Sequence, residues 1–177
     1  MTAVLAPQQW LLAALVLAAA VFDVRTHKIP NALNLAGTLA GLAAGLALNG
    51  IAGLKRAGLG FALGFAVYFA MYLLRAMGAG DVKLMAAVGS IVGPGNWFAV
   101  FILTSVLGGV LALALVIHKG RLSRTLWNIW FLVRDLARLR SPARNPELDV
   151  RSEESVKLEH AVSIALGSLA FLYLSTR

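Results

Sequence analysis

Apolar residues gather in six stretches of the chain, at about 9–24, 32–50, 57–75, 82–93, 97–117 and 160–175. A helix needs roughly 20 mostly apolar residues to cross about 30 Å of hydrocarbon, so the pattern predicts an all-α bundle of about six transmembrane helices. The fourth stretch is short for a free-standing span, which predicts that it is buried among the others or continued by ordered flanks. Pro30, the Gly93-Pro94-Gly95 run and the polar segment after His118 separate the stretches. Small residues recur at four-residue steps, Gly37, Gly41 and Gly45, then Gly60 and Gly64. That spacing predicts helices whose backbones approach closely in lipid and carries no chemistry of its own.

Residues 121–140 follow a different pattern. Leu122, Leu126, Ile129, Trp130, Val133 and Leu136 recur at three- and four-residue steps, with Arg124, Arg134, Arg138 and Arg140 between them. This predicts an amphipathic helix on the cytoplasmic membrane surface, with Trp127 and Trp130 near the headgroups. Residues 141–158, with Pro142, Pro146 and mixed charges, read as a solvated cytoplasmic loop.

Composition strengthens the membrane reading. The 177 residues are 59% hydrophobic and 14% charged, whereas a soluble domain carries about 25% charged residues. The excess is lipid-facing surface, and residues 1–177 read as a single membrane-embedded domain. Without cysteine there is no disulfide, thiolate zinc site or cysteine nucleophile.

The net charge of +8 is explained by topology. No Lys or Arg precedes the first apolar stretch, while Arg25 and Lys28 follow it. It therefore reads as a retained anchor with its N-terminus outside, not as a signal peptide. With six spans, all of the 16 Lys and Arg residues except Lys55, Arg56 and Arg177 fall inside, as do all eight acidic residues. Nothing then calls for a nucleic-acid partner; the bilayer accounts for the basic balance.

Before Asp135 the chain holds two acidic residues, Asp23 and Asp81, each at the inner end of an apolar stretch. An ionisable group beside a spanning helix is costly and marks a functional candidate. Simpler roles exist for each alone. Asp23 could pair with Arg25 or Lys28, and Asp81 could cap the helix predicted from Val82. Two carboxylates on one membrane face at similar depth offer more. Brought close, they cannot both ionise cheaply and share a proton, the arrangement an aspartic protease uses. One draws a proton from water while the other donates to the scissile carbonyl, with neither metal nor cofactor. Gly78 and Gly80 precede Asp81 where a backbone needs positive φ or close approach by another chain.

Gly78-Ala79-Gly80-Asp81-Val82-Lys83 resembles the Gly-x-Gly-Asp signature of the type IV prepilin peptidases. The run Phe22-Asp23-Val24-Arg25-Thr26-His27-Lys28-Ile29-Pro30-Asn31 is similar to that family's first motif. The order and separation of the motifs also fit, and the small size looks like the branch serving Tad/Flp pili. The resemblance implies an aspartic endopeptidase of the bacterial inner membrane. It would remove the basic leader from prepilins at the cytoplasmic face, usually after a glycine, with Asp23 and Asp81 as the catalytic pair. Bifunctional relatives add a cysteine-bearing zinc domain and methylate the new N-terminus, so this cysteine-free chain is expected to be a peptidase alone. Where relatives carry a proline near the last helix, this chain reads Leu158-Glu159-His160-Ala161.

Arg25 and Lys83, two residues after their aspartates, would bias ionisation, hold substrate or simply follow the positive-inside rule. Asn31 is expected to cap the second helix after Pro30. His27, His118 and His160 show no metal-ligand spacing and read as interfacial polar residues. A transporter or proton relay is the rival from another class, but no internal repeat is evident. A non-catalytic pilus-assembly protein is another, and retention of both aspartates argues against it.

Overall fold

Helices form all the regular structure among the residues that the computed structural model describes, 6–74, 77–120, 127, 130 and 160–176. They are α1 (Ala6–Thr26), α2 (Asn31–Leu73), α3 (Ala79–Val92), α4 (Pro94–His118) and α5 (His160–Ser175). The chain divides into two units, residues 1–108 with 159–177, and residues 109–158. The predicted surface helix at 121–140 and loop at 141–158 lie outside the described residues, save for Trp127 and Trp130, which are both exposed.

Three helices, α1, α2 and α4, are long and apolar enough to cross a membrane. Exposure argues the same way. Leu35, Leu39, Leu59 and Leu73 of α2 and Phe98, Ile102, Val106 and Val110 of α4 all face outward. Water would not tolerate so much contiguous apolar surface on a monomer, whereas lipid is its natural solvent. The chain is a membrane protein.

The turn between α1 and α2 is set by local chemistry. The Thr26 hydroxyl donates to the carbonyls of Phe22 and Lys28, and His27 takes a positive φ of 51° while its N–H reaches the Asp23 carbonyl. Pro30 then disfavours helix at Ile29 and opens α2. Asn31 does not cap this helix as expected. Pro30 holds the cap position without a side-chain bond, and Asn31 is already helical.

The second and third apolar stretches are joined more tightly than their separation in sequence suggests. The 43 residues of α2 are interrupted only at Asn49 (φ −135°) and Gly50 (φ 59°, ψ −148°). The left-handed Gly50 reverses the chain, because Gly45 and Gly53, on either side of the break, lie against each other's backbone. Both halves then pack on α3. Gly41 meets Ser90 and Ile91, Gly60 meets the Gly89 carbonyl, and Gly64 meets the Met85 carbonyl. The buried face of α2 is Asn34, Gly37, Gly41 and Gly45 before the break, then Gly53, Ala57, Gly60, Gly64 and Tyr68 after it. Small residues thus face inward and leucines outward, as close backbone packing in lipid requires.

Helix α3 is the centre of this arrangement. Every residue from Asp81 to Val92 except Lys83 is buried. That fits the expectation that the short fourth stretch is enclosed by other elements. At 14 residues it is about 21 Å long, too short to cross alone. Leu12, Leu15, Val16 and Ala19 of α1 and Ala161, Ile164, Ala165 and Phe171 of α5 complete the core. Trp97, at the start of α4, donates its indole N–H to the Met85 carbonyl at 3.1 Å and stacks on Phe101.

Candidate active site

The two sequence motifs meet across the α2–α3 contact. Ile29 lies against Gly80, close enough that a Cβ there would reach Ile29 at 3.4 Å. The Asn34 amide donates to the Gly80 carbonyl at 3.3 Å, and the Lys83 ammonium donates to Asn31 Oδ1 at 2.8 Å. The end of α1, the start of α2 and the Gly-x-Gly-Asp turn are therefore one structural unit.

Helix α3 begins at Ala79, three residues before the apolar stretch suggested. Asp81 is consequently the third residue of the helix, not its cap. Its Oδ2 accepts the N–H of Gly78 at 3.2 Å, which is the carboxylate half of a capping box; Gly78 has no side chain to supply the other half. This bond fixes the carboxyl over the first turn.

Asp81 is buried, with 9% of its surface exposed, and lies outside the three spanning segments. Burial pushes its carboxyl above the ordinary value. His160 and the Gly78 N–H oppose that rise, and the charge of Asp23 adds to it. The charge of Asp23 thus reaches Asp81 across the fold. Asp23 is partly exposed near the end of α1, and its Oδ2 accepts the N–H of Ala161, in the first turn of α5, at 3.1 Å.

Of the other predicted residues, Gly78 and Gly80 flank the carboxyl directly. Gly78 supplies the N–H, and a Cβ on it would come within 3.3 Å of the Asp81 carboxylate oxygen. Lys83 engages Asn31 and is exposed, as is Arg25. Neither is among the charges that act on Asp81, which are His160 and Asp23. Among the described residues no group of three His, Cys, Asp or Glu side chains is placed to hold a metal ion.

Sequence reasoning missed three residues. The antiparallel register that sets Gly60 against Gly89 and Gly64 against Met85 brings Tyr68 level with Asp81. Tyr68 is 1% exposed, and the Asp81 charge acts on its hydroxyl. Its ring meets Trp97 and Phe101 edge-on. The signal was present, since Tyr68 follows Gly64 by four residues on the glycine stripe. His160, read as an interfacial residue, acts electrostatically on Asp81. Asn34 is 2% exposed, and its Oδ1 accepts no hydrogen bond. Nothing in the sequence marked it out.

Fold and site together define a helical membrane protein with two carboxyl groups gathered where α1, α3 and α5 meet. The chain matches the type IV leader peptidase family over residues 10–113. That is more than half its length and includes both motifs, and the chain belongs to this family. It is a peptidase with a leader-peptidase role. No curated protein and no solved structure matches the chain.

Proposed function

We propose that this chain is an aspartic endopeptidase in which Asp23 and Asp81 are the catalytic pair. The observation that carries the reading is the meeting of the two motifs, which leaves Asp81 buried within the field of Asp23. Carboxyls so placed can hold one proton between them at neutral pH, the state needed to activate water and protonate a carbonyl together. The substrate is a type IV prepilin of the Flp class, cut after a glycine at the end of its basic leader. Six spans with the N-terminus outside put the site at the cytoplasmic face of the bacterial inner membrane. The break in α2 supports this topology, because it divides one long helix into two segments of spanning length. Cleavage occurs without methylation of the new N-terminus.

Incubation of the detergent-solubilised protein with a Flp-type prepilin tests this directly. Leader removal is expected for the wild type, and loss to background for Asp23→Asn and Asp81→Asn. If either variant cleaves at the wild-type rate, the two-aspartate reading fails.

A further inference from the structure

The two carboxyls of the site are held in unlike ways. Asp23 Oδ2 accepts a hydrogen bond from the backbone N–H of Ala161. The first N–H groups of a helix lack partners within it and carry the positive end of its dipole. A carboxylate placed there gains a charge-assisted bond that a neutral carboxyl does not. Asp81 has the opposite setting. It lies inside the bundle, level with the Tyr68 ring, and receives one backbone N–H from its own turn.

We infer that the N-terminus of α5 fixes the division of labour between the aspartates, with Asp23 the ionised general base and Asp81 the protonated general acid. This rests on the two-aspartate reading proposed above. Water gives a proton to Asp23 as its oxygen bonds to the scissile carbonyl carbon. The carbonyl π pair moves to oxygen, which takes the proton of Asp81. In the second step Asp23 returns its proton to the leaving nitrogen as the C–N bond breaks. Asp81 recovers one from a hydroxyl of the intermediate as the carbonyl reforms. Besides Asp23, the titratable groups that bear on Asp81 are His160 on α5 and Tyr68 on α2, while Arg25, Lys28 and Lys83 are exposed. None of these supplies the Ala161 N–H, which can be removed alone.

Ala161→Pro deletes that donor at a position in the first turn, where proline is compatible with a helix. The acidic limb of the kcat/KM–pH profile for prepilin cleavage is expected to move to higher pH, with the basic limb in place. Ala161→Gly, which keeps the N–H, leaves both limbs where they are. An unmoved acidic limb in Ala161→Pro, or a displaced basic limb, overturns the assignment. Carboxyl-13C NMR of aspartate-labelled protein gives a second reading that does not depend on how Ala161→Pro folds. At neutral pH the resonance lost in Asp23→Asn is expected in its ionised position and the one lost in Asp81→Asn in its protonated position. The reverse pattern overturns the division of labour, whereas a cleavage-competent Asp23→Asn or Asp81→Asn overturns the pair itself.

Discussion

Gly58 and Gly60 lie two residues apart on α2, yet alanine should act on them with opposite sign. An added Cβ at Gly60 would overlap the Gly89 carbonyl oxygen and come within 2.8 Å of its carbon and 2.9 Å of Gly93 Cα. All three are backbone atoms, so no rotamer change relieves the clash, and α2 must move off α3. Overpacking of this kind costs about 1–3 kcal/mol. Alanine returns about 0.5–1 kcal/mol of helix propensity over glycine, leaving a net loss of up to roughly 2.5 kcal/mol for Gly60→Ala. At Gly58 nothing lies within 4 Å of the added Cβ. The propensity gain then stands alone, and Gly58→Ala should be stabilised by about 0.5–1 kcal/mol. Unfolding in mixed micelles by titration with a denaturing detergent, followed by far-UV circular dichroism, measures both. Because the Gly60–Gly89 contact sets the register that brings Tyr68 to Asp81, prepilin turnover should also fall in Gly60→Ala and not in Gly58→Ala. Equal shifts for the two variants, or a stabilised Gly60→Ala, would refute the close backbone contact and the register derived from it.

Trp97→Phe keeps an aromatic ring against Phe101 but deletes the N–H donated to the Met85 carbonyl. A loss of about 0.5–1.5 kcal/mol is expected in the same titration, and no loss would show that this bond adds nothing. Asp81 favours its protonated form in the fold, so the folded state holds its proton to higher pH than the unfolded state does. Its contribution is therefore most favourable below the unfolded value of about 4, declines as pH rises towards the folded value, and then levels off. Asp81→Asn removes that decline, and the variant should be more stable than wild type at neutral pH with the gain vanishing in acid. A variant less stable at pH 7 would contradict the burial cost. A reporter fused after Lys119 should read as cytoplasmic, and a periplasmic signal there would overturn the proposed topology.

Hydropathy located the helices well because lipid imposes the same demand along each of them. The stretches at 9–24, 97–117 and 160–175 fall within α1, α4 and α5. What hydropathy could not register was how the ends are made. Asn49 and Gly50 turn the chain within two residues, so the loop expected between the second and third stretches is itself helical. The start of α3 moved back to Ala79 because Gly78 and Asp81 build its first turn, a polar device invisible to an apolar count. Asn31 was read from its neighbour Pro30, but its partner is Lys83, 52 residues away. The aspartates were legible because acids are scarce in such a chain. Tyr68, Asn34 and His160 were not, since a tyrosine, an asparagine or a histidine near a helix end is unremarkable until the fold places it at the Gly-x-Gly-Asp turn. The glycine spacing held half of that information. It announced close contact without saying which residue on α3 each glycine meets.

Asp81 is covered by protein at the start of a short helix. A helix of about 21 Å is shorter than about 30 Å of hydrocarbon and cannot cross it alone. Its ends meet groups of the protein. At one end the Arg56 guanidinium donates to the Val92 carbonyl, and Gly93, with φ at 77°, leads directly into α4. Cations near helix C-termini suit both the free carbonyls and the dipole. At the other end Asp81 Oδ2 accepts the Gly78 N–H, and the Asn34 amide ties the same turn to α2 through the Gly80 carbonyl. The acid is thus part of the device that finishes a short helix. Protein neighbours keep the carboxyl covered, and a covered carboxyl that retains its proton is what the proposed chemistry asks of Asp81.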